Sequence, residues 1–141
     1  MNKSLQKRIE KIVENDNDLR GRPATDKEIK DAEINLNVTF DTQYIDFIKI
    51  FGGAFCGIAI HAFDNGDMIG DETVTELTQR FRKYTPNLSN ELMNSYVISD
   101  DGAGNPILIS RTGHILIYFH DSGEAEVLHN TFNDLLNQAL S

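Results

Sequence analysis

Leu5, Ile9, Ile12 and Val13 fall on one face at helical spacing, which predicts an opening amphipathic helix with Ser4 as its N-cap. The polar run NDNDLRGRPAT, Asn15 to Thr25, then breaks the pattern. Thr25 and Glu28 spell a capping box, and Ile29, Ala32 and Leu36 supply the apolar stripe of a second helix. A third helix starts at Asp41 and buries Tyr44, Phe47, Ile48 and Phe51, spaced i, i+3, i+4, i+7. Gly52 and Gly53 follow at once, where a helix end needs a residue tolerant of positive φ.

Past the glycines the period shortens. Ile58, Ile60 and Ala62 alternate, so Phe55–Phe63 reads as a strand, with Asn65-Gly66 as a turn signal after it. Val74, Leu77, Phe81 and Tyr84 mark another helix, closed by Pro86. Short strands are predicted at Tyr96–Ser99, Pro106–Ser110, Ile115–Phe119 and Glu124–Leu128, the last two separated by a turn at Asp121–Gly123. Phe132, Leu135, Leu136 and Ala139 form a closing helix with Thr131 as N-cap. Helices gather at the ends and the strands run consecutively. The expected fold is therefore α+β: one domain over residues 1–141, with a mainly antiparallel sheet packed with N-terminal, central and C-terminal helices.

Composition narrows the function classes. Thirteen basic against 22 acidic side chains leave a net charge of −9, which opposes direct contact with nucleic acid phosphates and favours a basic partner. No run approaches the ~20 apolar residues of a membrane span. The N-terminus is charged throughout and carries no signal-peptide pattern. A single cysteine forms no internal disulfide, so the expected setting is the cytoplasm.

The stretch SDDGAGNPILIS, Ser99 to Ser110, invites a ligand reading that fails on spacing. A dinucleotide fingerprint would need a third glycine where Ile107 stands, and a P-loop would need Gly-Lys-Ser/Thr. An EF-hand loop counted from Asp100 or Asp101 would need its glutamate where Arg111 or Thr112 stands. The remaining reading is architectural: Asp101, Gly102, Gly104 and Asn105 make a tight turn, and Pro106 holds Asn105 extended into the next strand.

Catalytic and metal chemistry find little support. His61, His114, His120 and His129 lack any H-x-x-x-H or H-E-x-x-H spacing, and Cys56 lies in FCGIAI, which reads as buried strand. Asp100 and Asp101 are adjacent, so on a strand they point to opposite faces. The expectation is a non-enzyme with no cofactor and no metal. Carboxylates are more suggestive: Asp64, Asp67, Asp71 and Glu72 crowd into DNGDMIGDE, and Glu124 with Glu126 share one face of a late strand. Turn chemistry and a solvated face account for them as residues; if the two patches are contiguous, they suit a basic protein partner.

Three stretches, in order, resemble the SUKH superfamily. They are RPATDKEIKDAEINLNVTFDTQYIDFIKIFGG with its central Glu33, DDGAGNPILI, and IYFHDSGEAEVLHNTFNDLL; together they run from Arg22 to Leu136. The chain departs from the family pattern at Thr39-Phe40, where Leu-Pro is frequent, and in having no tryptophan after the first strand. The resemblance implies an immunity protein that binds and neutralises one cognate bacterial toxin domain, often a nuclease or other nucleic-acid-modifying enzyme. The alternative it implies is a regulatory or scaffolding module for an endogenous protein, the role of a fungal relative.

Overall fold

The computed structural model describes residues 1–141. Leu5, Ile9 and Val13 are buried along one side of α1 (Lys3–Val13), but its cap is Asn2, whose side chain accepts the Leu5 N–H at 2.8 Å. Ser4 lies inside the first turn, and Ile12 falls off the buried stripe at 38% exposure. A 3-10 turn (Asn17–Leu19) follows. The capping box of Thr25 and Glu28 opens α2 (Asp26–Leu36), and Asp41 caps α3 (Thr42–Phe51) by accepting from the Gln43 and Tyr44 amides. Gly52 ends α3 at φ +66°.

The single strand expected over Phe55–Phe63 is instead a small hairpin, β1 (Ala54–Phe55) and β2 (Ala59–Ile60). The break is at Gly57, at φ +81°, where a Cβ would stand 2.2 Å from the Ala139 carbonyl oxygen. Asn65-Gly66 does not turn a hairpin either. Gly66 presses against the backbone of Asp18 to Arg20, and Asn65 spends its side chain on other loops. After α4 (Val74–Tyr84), capped by Thr73, comes one unforeseen turn of helix, α5 (Asn90–Met93), started by Ser89.

Four strands then form the sheet: β3 (Tyr96–Asp100), β4 (Pro106–Ile109), β5 (Ile115–Phe119) and β6 (Glu124–His129), antiparallel in sequence order. Thr131 caps α6 (Phe132–Ala139), which packs back on β6. Alternation along the strands sends side chains to two unequal cores. Tyr96, Ile98, Ile107, Ile109, Ile115 and Ile117 join the main one with α1, α2, α3 and α6. Val97, Leu108, Leu116 and Tyr118 face the smaller one, covered by Phe81 of α4 and Leu92 of α5.

Aromatic rings fill the centre of the main core. Phe132 meets Tyr44 and Phe47 edge-on, at 5.7 and 5.6 Å between centroids. The Tyr44 hydroxyl donates to the His61 carbonyl at 2.6 Å, and the Tyr96 hydroxyl accepts the Asp41 N–H at 2.8 Å. Burial pushes both phenols above the usual tyrosine range. Both rings therefore combine apolar packing with a satisfied polar tip.

Cys56 is fully buried, and loss of water pushes its thiol up to about 12. The thiolate is the reactive form. Native protein at pH 8 is expected to resist a thiol-specific chromogenic reagent and to react stoichiometrically once unfolded; rapid labelling of the native chain would contradict the burial. No helix is long and apolar enough to cross a membrane.

Candidate protein-binding surface

The loop carrying Asp64, Asp67, Asp71 and Glu72 is shaped by one side chain. Asn65 accepts the Ala62 N–H at 2.8 Å and donates to the Gly70 and Glu72 carbonyls at 3.0 and 2.8 Å. It thereby staples both ends of the loop to β2's exit. Gly53 permits this, because a Cβ there would sit 1.9 Å from the Asn65 side-chain oxygen. The Gly53 backbone also donates to the Asp64 carbonyl at 2.9 Å and accepts from the Gly66 amide at 2.9 Å. His61, largely buried, adds a ring nitrogen 2.7 Å from the Glu72 carbonyl. The Gly52-Gly53 pair thus ends a helix and seats the acidic loop.

All four carboxylates of this loop are exposed, but they are not equally free. Asp64 lies 3.7 Å from the Arg22 guanidinium, and Glu72 pairs with Arg80. Asp67 and Asp71 have no cationic partner. Exposed pairs of this kind contribute little to stability and leave the side chains available to an incoming charge.

Folding adds carboxylates that the linear reading did not group with them. The Met68 N–H donates to the Asp18 carbonyl at 3.0 Å, bringing the 3-10 turn beside Asp67. Asp16 next to it, then partial loss of water, then Asp67 raise the Asp18 carboxyl above its ordinary value. Like charges held together make room for an added positive charge. The run NDND at Asn15 to Asp18 carried the signal, but nothing in the linear order placed it against residue 67. Met68 stands among these acids with 63% of its surface exposed, an apolar tip within a negative field.

Glu124 and Glu126 lie elsewhere. They are on β6, opposite Phe119 and Ile117 of β5, whereas the acidic loop leads off β2, which meets the sheet at β3 through a 2.9 Å bond from the His61 amide to the Ile98 carbonyl. Three strand spacings separate β3 from β6, roughly 14 Å. The two acidic groups are separate surfaces.

The glycine loop between β3 and β4 is held by its own side chains. Asp101 accepts from the Ala103 and Asn105 amides at 2.8 and 3.1 Å and from the Asn105 side-chain nitrogen at 2.8 Å. Those bonds, the Asn105 side chain first, hold the Asp101 carboxyl below the usual carboxylate range. Gly102 and Gly104 take φ of +83° and +88°, the Asn105 oxygen accepts the His120 N–H at 3.1 Å, and Pro106 starts β4. The Asp101 carboxylate thus faces the loop's own donors, as in an Asx-type turn.

The histidines are dispersed, and no group of three or more His, Cys, Asp or Glu side chains is placed to hold a metal ion. His120 lies by the glycine loop, His129 opposite Ile115, and His114 in the turn before β5. What the surface offers is charge, exposed apolar tips and an open sheet edge, which are means of binding another macromolecule.

A comparison with curated proteins finds no match. Residues 23–138 match the SMI1 / KNR4 family (SUKH-1), a span that runs from the segment before α2 into α6 and takes in both glycine motifs and the whole sheet. With most of its length covered by that match, the chain belongs to the SMI1/KNR4 family, SUKH-1.

Proposed function

We propose that this protein is a cytoplasmic, non-enzymatic immunity protein that binds a cognate bacterial toxin domain and blocks it by occupying its surface. Membership of SUKH-1 supports the class. The single observation that supports the mode of binding is the approach of Asp18, with Asp16 beside it, to Asp67, within a chain of net charge −9. A toxin that grips nucleic acid phosphates is basic, and a negative surface draws such a partner in. Asp64, Asp67, Asp71 and Glu72 steer the encounter, and Met68 is the apolar anchor beside them.

The decisive experiment has two stages. The chain is immobilised to capture a near-stoichiometric partner from its own organism, and the captured domain is then expressed with and without the chain. Rescue of growth supports immunity. Capture of an endogenous protein whose expression harms nothing would transfer the chain to the regulatory class. With the toxin in hand, the fourfold variant Asp64→Asn, Asp67→Asn, Asp71→Asn, Glu72→Gln should associate at least about tenfold more slowly at low salt. Its on-rate should also depend less on ionic strength, with thermal stability little changed. An on-rate that matches the parent at every salt concentration would remove this loop from the encounter surface.

A further inference from the structure

β6 is the open edge of the sheet. It pairs with β5 on one side only, and outside that ladder no backbone N–H or C=O from Ala125 to His129 has a partner within the chain. Such an edge is a template for another strand unless the protein blunts it. This one is six residues long, contains no proline, and carries Val127 and Leu128 at 56% and 39% exposure. Its single irregularity is the bulge at Leu128, near the far end, where Val127 pairs with Leu116 and His129 with Ile115. The segment from Glu124 to Val127 is regular.

Charge decides which strand can add. Glu124 and Glu126 project on one face, two residues and roughly 7 Å apart, with Ala125 and Val127 on the other. Antiparallel self-pairing keeps like faces together, so a register centred on Glu124, Ala125 or Glu126 would set a glutamate against a glutamate. Like charges directly opposite are unfavourable, and each copy brings a net charge of −9. An incoming strand with lysine or arginine at alternate positions meets both carboxylates, and the apolar residues alternating with them cover Ala125 and Val127. Backbone bonds would supply the attachment and the alternation its selectivity.

We infer that the β6 edge accepts, by strand addition, an extended segment of the protein partner that alternates basic and apolar residues. This rests on the reading of the chain as a binder of a basic protein, and it assigns a second contact surface, distinct from the acidic loop.

The probe is a capped eight-residue peptide alternating lysine and valine, titrated into the full-length, isotope-labelled chain and followed by amide resonances. Saturable shifts and slowed hydrogen exchange confined to β6 are expected. The same peptide N-methylated at alternate backbone nitrogens should lose binding, since its charge is kept but its donors are gone. Glu124→Gln with Glu126→Gln should weaken the parent peptide about fivefold. Equal binding of the N-methylated peptide, shifts centred on the acidic loop, or no binding at millimolar peptide would each overturn the assignment. Because no toxin enters the titration, failed rescue leaves a positive result standing, and a negative one leaves rescue untouched.

Discussion

Gly52→Ala is expected to destabilise the protein by about 3–5 kcal/mol, through a positive-φ backbone that L side chains resist and a blocked approach acting together. At φ +66° an added Cβ would stand 2.3 Å from the Arg22 carbonyl oxygen and 2.9 Å from that of Asp64. Both are backbone atoms of segments that seat the acidic loop, so neither can swing aside. Gly70→Ala is the internal comparison. Its φ is +97°, yet nothing lies within 4 Å of the added atom, so only the conformational cost of about 1–2 kcal/mol applies. Urea unfolding of the two variants separates crowding from handedness. Equal losses would mean that the loop's carbonyls give way at residue 52.

Phe132→Ala is expected to cost about 3–5 kcal/mol, the range for deleting a buried ring. Phe132 is fully buried at the start of α6, and its edge contacts with Tyr44 and Phe47 tie that helix to α3. A domain of this size is typically stable by about 5–15 kcal/mol, so the variant would lose a large fraction of the total. Phe132→Leu keeps most of the volume and should retain more than half of the lost stability. If alanine costs under about 1 kcal/mol, α6 is not fixed by this cluster.

Much of this architecture was readable in the linear order because short-range rules suffice for it. Thr25, Asp41, Thr73 and Thr131 all act as caps, and each sits just before an apolar repeat. The four sheet strands begin and end within a residue of the bounds expected for them. The linear order misleads where a distant segment decides. Gly57 turns because α6 leaves no room for a side chain, and Asn65-Gly66 is spent on contacts to the 3-10 turn and to residues 70–72. The one-turn helix α5 is too short to display a period. At the candidate surface, the carboxylates of residues 64–72 were visible as a cluster. Asp16 and Asp18 join it only on folding, because proximity across some fifty residues is a property of the fold rather than of the linear order.

The meander of β3 to β6 has a kinetic consequence. Each strand neighbours the next in sequence, with connections of residues 101–105, 110–114 and 120–123. Closing such short loops costs little chain entropy, whereas bringing α1 against α6 means closing a loop of more than a hundred residues, as the Arg8–Asn137 bond requires. The sheet is therefore expected to assemble early, with the N-terminal helix docking after the rate-limiting step. Substitutions at Leu108 or Leu116 should slow refolding, and those at Leu5 or Ile9 should mainly hasten unfolding. A chain emerging N-terminus first would then hold its opening helix in waiting until the last strands arrive.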